Sequence, residues 1–143
     1  MISGQTIDIP IGRHKTDRKK MSAQAIGKPA ITHYRILDHY RGHTLIECQL
    51  ETGRTHQIRV HMNFIHHPLF GDSTYGWRLK LPSKMVPELA EELRQFKRQA
   101  LHAKKLELTH PKTEKRMVFE CDYPEDFENL IKIFKEDQKQ LED

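Results

Sequence analysis

Apolar and polar residues alternate over residues 6–11, Thr-Ile-Asp-Ile-Pro-Ile, which predicts a short strand ending at Pro10. A second short strand is expected over 21–26, after which Gly27 and Pro29 break the run. Residues 30–40 and 43–51 read as two long strands joined by a tight turn at Arg41 and Gly42. In the second of these, Ile46, Cys48 and Leu50 share one face while Glu47 and Gln49 take the other. That is the pattern of an antiparallel sheet with one covered side. Residues 88–96 carry Leu89, Leu93 and Phe96 at helical spacing, with acidic residues early and basic residues late, as a helix dipole favours. Residues 101–108 and 116–121 predict another hairpin around 111–114, with Leu106, Leu108, Met117, Phe119 and Cys121 as its half-buried face. A last helix is expected to be capped by Asp122, with Pro124 in its first turn and Phe127, Leu130, Ile131 and Phe134 as its apolar stripe. The order of elements gives an α+β fold with a mainly antiparallel, or mixed, sheet and flanking helices.

Between the long hairpin and the first helix lies Glu51-Thr52-Gly53-Arg54-Thr55-His56-Gln57-Ile58-Arg59-Val60-His61-Met62. Gly53 lets the chain turn where strand becomes helix, and Thr55 is placed to act as N-cap. Ile58, Met62 and Ile65 fall on one apolar face, which puts Arg59 and Asn63 elsewhere with His56 nearby. Two readings fit Arg59. It is a solvated surface arginine, or it is held in place one turn inside the helix to meet a fixed anion with its fork already oriented.

At 143 residues the chain is one domain's worth, long enough for a real core. Hydrophobic residues make up 36% and charged residues 31%, polar for a globular domain but not a disordered composition. The net charge of +4 favours an anionic partner, RNA before membrane. No run approaches the ~20 apolar residues of a membrane span. The residues at the start lack a secretory apolar run, so a cytoplasmic location is expected. Cys48 and Cys121 read as small core residues of a reducing compartment and not as a disulfide pair.

Five of the eight residues from Arg13 to Lys20 are Lys or Arg: Arg13, Lys15, Arg18, Lys19 and Lys20. Such a run is a solvated mobile loop, or an arm that contacts phosphates and stays disordered until RNA is present; the two are compatible. His61, His66 and His67 invite a metal site, but no His-Glu-x-x-His or Cys-x-x-Cys pattern accompanies them, and no metal is assigned. Asp72 reads as a turn or cap residue, and Trp77 as packing, with base stacking by Trp77 and Arg78 as the other reading. Ten histidines also leave a histidine-dependent ribonuclease imaginable.

Residues 53–62, followed by His67-Pro68-Leu69-Phe70-Gly71-Asp72 and Tyr75-Gly76, resemble the C-terminal half of an RluA-type pseudouridine synthase. Gly27-Lys28-Pro29-Ala30-Ile31-Thr32-His33-Tyr34 and Gln99-Ala100-Leu101-His102-Ala103 fit the same family, with their nearest match in the RluD-like branch that modifies large-subunit ribosomal RNA. The resemblance runs from about Thr6 to about Phe134. It implies one half of the bifurcated sheet of pseudouridine synthases, with residues 1–143 as the C-terminal portion of the catalytic domain. It implies isomerisation of uridine in ribosomal RNA, without metal or cofactor. By position, Arg59 matches the arginine that pairs with the family's catalytic aspartate, Leu101 matches an apolar residue of the active-site wall, and Arg54, His56 and Arg13 stand as candidates for RNA contact. The family carries its aspartate in an upstream Arg-Leu-Asp segment and its active-site tyrosine shortly after, and neither has a counterpart here. The resemblance therefore implies a chain that is inactive alone, whose partners are ribosomal RNA and the N-terminal half of the same protein. Arg59, lacking its aspartate, is then expected to face solvent, and an apolar patch is expected where the other half docks. An RNA-binding module that kept the fold without the chemistry is the alternative.

Overall fold

A computed structural model describes residues 4–142 of the chain. Strands β1 (Gly4–Asp8), β4 (Ile31–His39) and β5 (Thr44–Leu50) form an antiparallel sheet in the order β1-β4-β5. Strands β2 (Ile11–Arg13) and β3 (Met21–Ala23) make a short hairpin of their own, and β6 (Lys105–Thr109) and β7 (Arg116–Glu120) make a third antiparallel pair. Helices α1 (Gln57–Phe64), α2 (Pro87–Arg94) and α3 (Glu125–Glu142) complete the α+β arrangement, with a single 3-10 turn at Ser73–Tyr75.

The long hairpin follows the alternation. Tyr34 is buried, and Ile46 and Cys48 pack toward it, while Glu47 and Gln49 lie on the exposed face. The register of β4 against β5 shifts between Ile36 and Asp38, and the chain reverses at Gly42, whose φ of +69° suits glycine. α1 lies across this sheet with Met62 buried and Ile58 and Ile65 packed against the same cluster, the face its periodicity indicated. It also buries the opposite side. Val60 joins Ile11, Ala30 and Tyr75 in a second cluster under the β2–β3 hairpin.

The third cluster is built late in the chain. Leu130, Ile133 and Phe134 of α3 meet Leu93 of α2 and Phe70, with Trp77 and Phe96 packed alongside. Trp77 is thus a packing residue, 4.9 Å from the Phe70 ring centroid. α3 is fastened at its far end by Asp137, almost fully buried, whose two oxygens accept from Arg41 Nε at 3.0 Å and Nη2 at 2.7 Å; Arg41 Nη1 donates to the Ser83 carbonyl. The stripe of α3 includes Ile133 in place of Ile131, which is half-buried.

Several expectations need correction. His56, not Thr55, is the N-cap of α1, in a left-handed conformation at φ +55° and without a side-chain cap, while Thr55 is exposed. The first strand ends at Asp8, and β2 begins just beyond Pro10 because the carbonyl of Pro10 and the amide of Ile11 pair with Gln24 and Lys28. The basic run is not a loose arm. His14 Nδ1 accepts from the amides of Thr16 and Asp17, and the His14 amide donates to the Lys20 carbonyl, which closes the β2–β3 loop. The last helix takes its first carbonyl from Pro124, to which the Glu128 amide donates, and no cap bond from Asp122 occurs among the described residues. The largest departure is the β6–β7 hairpin. Its alternation is real, but neither face is covered: Leu106, Leu108, Val118 and Phe119 are exposed, and so is Cys121. The chain exposes 10133 Å², against roughly 7,700 Å² for a compact monomer of its mass.

Removing Arg41 leaves the Asp137 carboxylate buried without a partner. Arg41→Ala should therefore lower the unfolding free energy by about 3 kcal/mol or more. Urea unfolding followed by circular dichroism measures this; an unchanged midpoint would mean that α3 is held without the pair.

Candidate functional site

The turn from β5 into α1 is organised by Gln57, which is buried. Its Oε1 accepts from Thr52 Oγ1 at 2.7 Å and from the Arg54 amide at 3.0 Å, and its Nε2 donates to the Ile31 carbonyl at 3.0 Å and to Thr32 Oγ1 at 2.9 Å. All four polar capacities of the amide are used. Thr32, also buried, bonds His61 Nδ1 at 2.8 Å, and His61 Nε2 donates to the Ile9 carbonyl at 2.8 Å. A ring nitrogen facing a carbonyl must carry the hydrogen, so Nδ1 takes the Thr32 hydroxyl hydrogen. With both nitrogens spent on the fold, His61 is a structural histidine.

One turn along, Arg59 meets Asp72. Nε donates to Oδ2 at 2.9 Å and Nη2 to Oδ1 at 2.8 Å, a two-point fork on a carboxylate whose side chain is 1% exposed. Arg59 itself is 14% exposed, so the expectation that it faces solvent is overturned. The physical reason is local: the turn after Phe70 brings a carboxylate to the guanidinium within the same chain. Gly71 permits that turn, with φ at +82° and its α-carbon so close to the Arg98 carbonyl that a side chain would collide with it. Asp72 does stand at the N-cap of the 3-10 turn that follows, as expected, but its carboxylate makes no cap bond and is taken up by Arg59 instead. Its hydrogen bonds raise the Arg59 pKa further.

Tyr75 completes the cluster. Its ring lies 4.9 Å from the Arg59 guanidinium carbon, and its hydroxyl accepts from the Met21 amide at 3.0 Å and bonds His56 Nδ1 at 2.7 Å. Burial and the nearby Arg59 charge hold His56 below the usual imidazole range, with Asp72 pulling the other way. The left-handed backbone of His56 costs about 1 kcal/mol or more and is fixed by this contact. Asp72, Tyr75 and Gln57 went unrecognised in the sequence. Their signal was faint: an aspartate in the Gly-Asp-Ser-Thr turn after Phe70, and a tyrosine just before Gly76.

The remaining candidates surround this cluster unevenly. The Met21 amide on Tyr75 places the end of the basic loop, and Lys20 with it, beside the cluster. Arg13 is exposed and donates to the Arg18 carbonyl at 3.1 Å; Lys15, Arg18 and Lys19 are exposed as well. Arg54 donates to the Pro29 carbonyl at 2.8 Å. Leu101 is half-buried and follows Ala100, whose amide donates to the Phe70 carbonyl at 2.7 Å, so its segment runs beside the loop that ends at Asp72. A cavity of 680 Å³ between β5, the end of α1, the 77–82 loop and α3 includes Asn63, Met62 and Trp77 but not Arg59, Asp72 or Tyr75. It is a gap beneath α3, apart from this chemistry. Among the described residues no group of three potential metal ligands is found, and no helix is long and apolar enough to cross a membrane.

The comparisons give this cluster a context. Residues 2–64 match the family described as RNA pseudouridylate synthase. The chain is 51% identical over 137 residues to ribosomal large subunit pseudouridine synthase D of Pseudomonas aeruginosa, covering 96% of this chain and 43% of the relative. It is 47% identical to the protein of that name from Escherichia coli, over all of this chain and 44% of the relative. The chain belongs to the pseudouridine synthase family. It spans less than half the length of these curated relatives. Human RNA pseudouridylate synthase domain containing 1 superposes with a TM-score of 0.65 at 27% identity, over 86% of this chain and 49% of that one. Human RNA pseudouridylate synthase domain containing 4 gives 0.63 at 26%, over 93% and 57%. The α+β arrangement is therefore that of pseudouridine synthase domains.

The His56 environment makes a signed prediction. An imidazole that the fold prefers neutral contributes stability above its ordinary pKa of 6.5, and that contribution is lost as pH falls through and below this value. By NMR, His56 should titrate below 6.5, Asp72→Asn should lower the midpoint further, and Arg59→Ala should raise it. Movement of the two variants in the same direction would contradict this reading of the cluster.

Proposed function

We propose that residues 1–143 form the C-terminal portion of the catalytic domain of a synthase that converts uridine to pseudouridine in large-subunit ribosomal RNA, acting in the cytoplasm. The observation that carries the proposal is the identity of about half the residues, over nearly the whole chain, to proteins named ribosomal large subunit pseudouridine synthase D. The reaction breaks the N-glycosidic bond of a uridine, turns the uracil and rejoins it through C5. The base must leave its stack to be reached, and no metal or cofactor is required.

The geometry supports the division of labour that follows. Among the described residues the carboxylate at the cluster is Asp72, nearly inaccessible and with both oxygens occupied by Arg59. It is unfit to attack or deprotonate a nucleotide, so the essential carboxylate comes from polypeptide outside residues 1–143. Arg59 is the group that supports that carboxylate, and Leu101 is part of the wall beside it. Arg13, Lys15, Arg18, Lys19, Lys20, Arg54 and His56 face the RNA, the lysines and arginines on phosphates. The uncovered apolar faces of β6 and β7, and the surface in excess of a compact monomer, are the area on which the rest of the catalytic domain rests.

Tritium release from 5-tritiated uridine in ribosomal RNA tests this with the chain alone and with the upstream half of the synthase restored. Silence alone and release on restoration are expected. Release from the chain alone would require a catalytic carboxylate within it and would overturn the division of labour. Silence in both, with RNA still bound, would favour an RNA-binding module that kept the fold without the chemistry.

A further inference from the structure

Arg59 presents five N–H groups in a rigid planar fork. Asp72 takes the Nε hydrogen and one on Nη2. Among the described residues Nη1 has no hydrogen-bond partner, although the side chain is only 14% exposed. The Tyr75 ring holds one face of the guanidinium at 4.9 Å. Tyr75 is fixed in turn by the Met21 amide and by His56. With one edge and one face held, the remaining Nη1–Nη2 edge points in a fixed direction and matches a second carboxylate.

We propose that Asp72 is a positioning residue: it holds Arg59 so that the open Nη1–Nη2 edge receives the essential carboxylate of the reaction, supplied by polypeptide outside residues 1–143. This rests on the synthase reading above. A carboxylate fits this edge better than an RNA phosphate does, because the guanidinium is mostly buried while the cations suited to phosphates, Lys15, Arg18 and Lys19, are exposed. Asp72 has an electrostatic effect as well as a geometric one. The charged or titratable groups against Arg59 are Asp72, Tyr75 and His56. Asp72 offsets most of the Arg59 charge, so the incoming carboxylate meets an ion pair and not a lone cation. Without the Asp72 charge, Arg59 would pull harder on that carboxylate and let it ionise at lower pH.

The test is the pH dependence of tritium release by the synthase restored to full length, as wild type, Asp72→Asn and Asp72→Glu. Asp72→Asn should lower kcat on the order of 100-fold by loosening Arg59, leave the KM for RNA unchanged, and move the acid limb of the kcat profile to lower pH. Asp72→Glu keeps the charge but lengthens the arm; it should lose kcat with the acid limb in place, and it serves if the asparagine variant does not fold. An active wild type whose two variants match it in kcat overturns the inference alone. So does a loss of kcat in Asp72→Asn without displacement of the acid limb, which would make Asp72 merely structural. An inactive wild type overturns the synthase reading, and this inference with it.

Discussion

The structure turns on a buried polar relay that begins at Thr52 and passes through Gln57, Thr32 and His61 to the carbonyl of Ile9. Buried polar atoms are costly unless bonded, and here each finds a partner. The relay spans the β5–α1 turn, β4, α1 and the stretch after β1, so it sets where the helix starts and how it is rotated about its axis. That rotation decides which side chains of α1 meet the sheet, which meet the β2–β3 hairpin, and which edge is left for Arg59. An apolar contact in place of Gln57 would bury similar area but would not select one rotation, because hydrophobic packing is not directional.

Given that rotation, the chemistry of the cluster follows from a charge that cannot stay bare. Arg59 is pressed between the helix, the loop carrying Asp72 and the Tyr75 ring, and a guanidinium so enclosed requires a counter-ion. The fork on Asp72 supplies one. The loop that delivers Asp72 depends on Gly71 and on the backbone of 98–100 running beside it. The active-site wall candidate and the ion pair are therefore two consequences of one chain crossing. The strained backbone of His56 belongs to the same geometry, since Tyr75 ties it to the ring that covers Arg59.

Local periodicity made much of the fold legible. β4, β5 and α2 lie where alternation and helical spacing put them, within a residue or two at their ends, and α3 starts near Pro124 as expected but runs on to Glu142. Ile58, Met62 and Ile65 pack as one face, and Glu47 and Gln49 face away from Ile46 and Cys48. The failures came where a residue's environment is set by sequence-distant partners. Thr55 has the chemistry of a cap, but the Gln57 amide donates to the Arg54 carbonyl instead, and His56 takes the cap position. The motif identified Arg59 as an anion-binding arginine through its family resemblance, yet its partner within the chain lies thirteen residues on, beyond the reach of any helical or strand period. Alternation in β6 and β7 showed two-sided strands but not what covers them, because periodicity reports a preference for burial and not its fulfilment.

The distribution of burial separates what this chain completes from what it leaves open. α3 has its own core with α2 and Phe70, and a buried ion pair to Arg41 at its far end. α1 has clusters on two sides. The cores of these elements are built from residues of the same chain. The β6–β7 hairpin does not: its backbone is paired, but its leucines and Phe119 lie open, and its strands have the described chain on neither edge beyond each other. An isolated two-stranded ribbon is marginal in water unless a further strand or a helix covers it. In the proposed synthase, the surface that covers it belongs to the same polypeptide that supplies the carboxylate for Arg59. One docking event would then both bury the hairpin and complete the charge cluster, so that assembly of the fold and assembly of the active site are a single step.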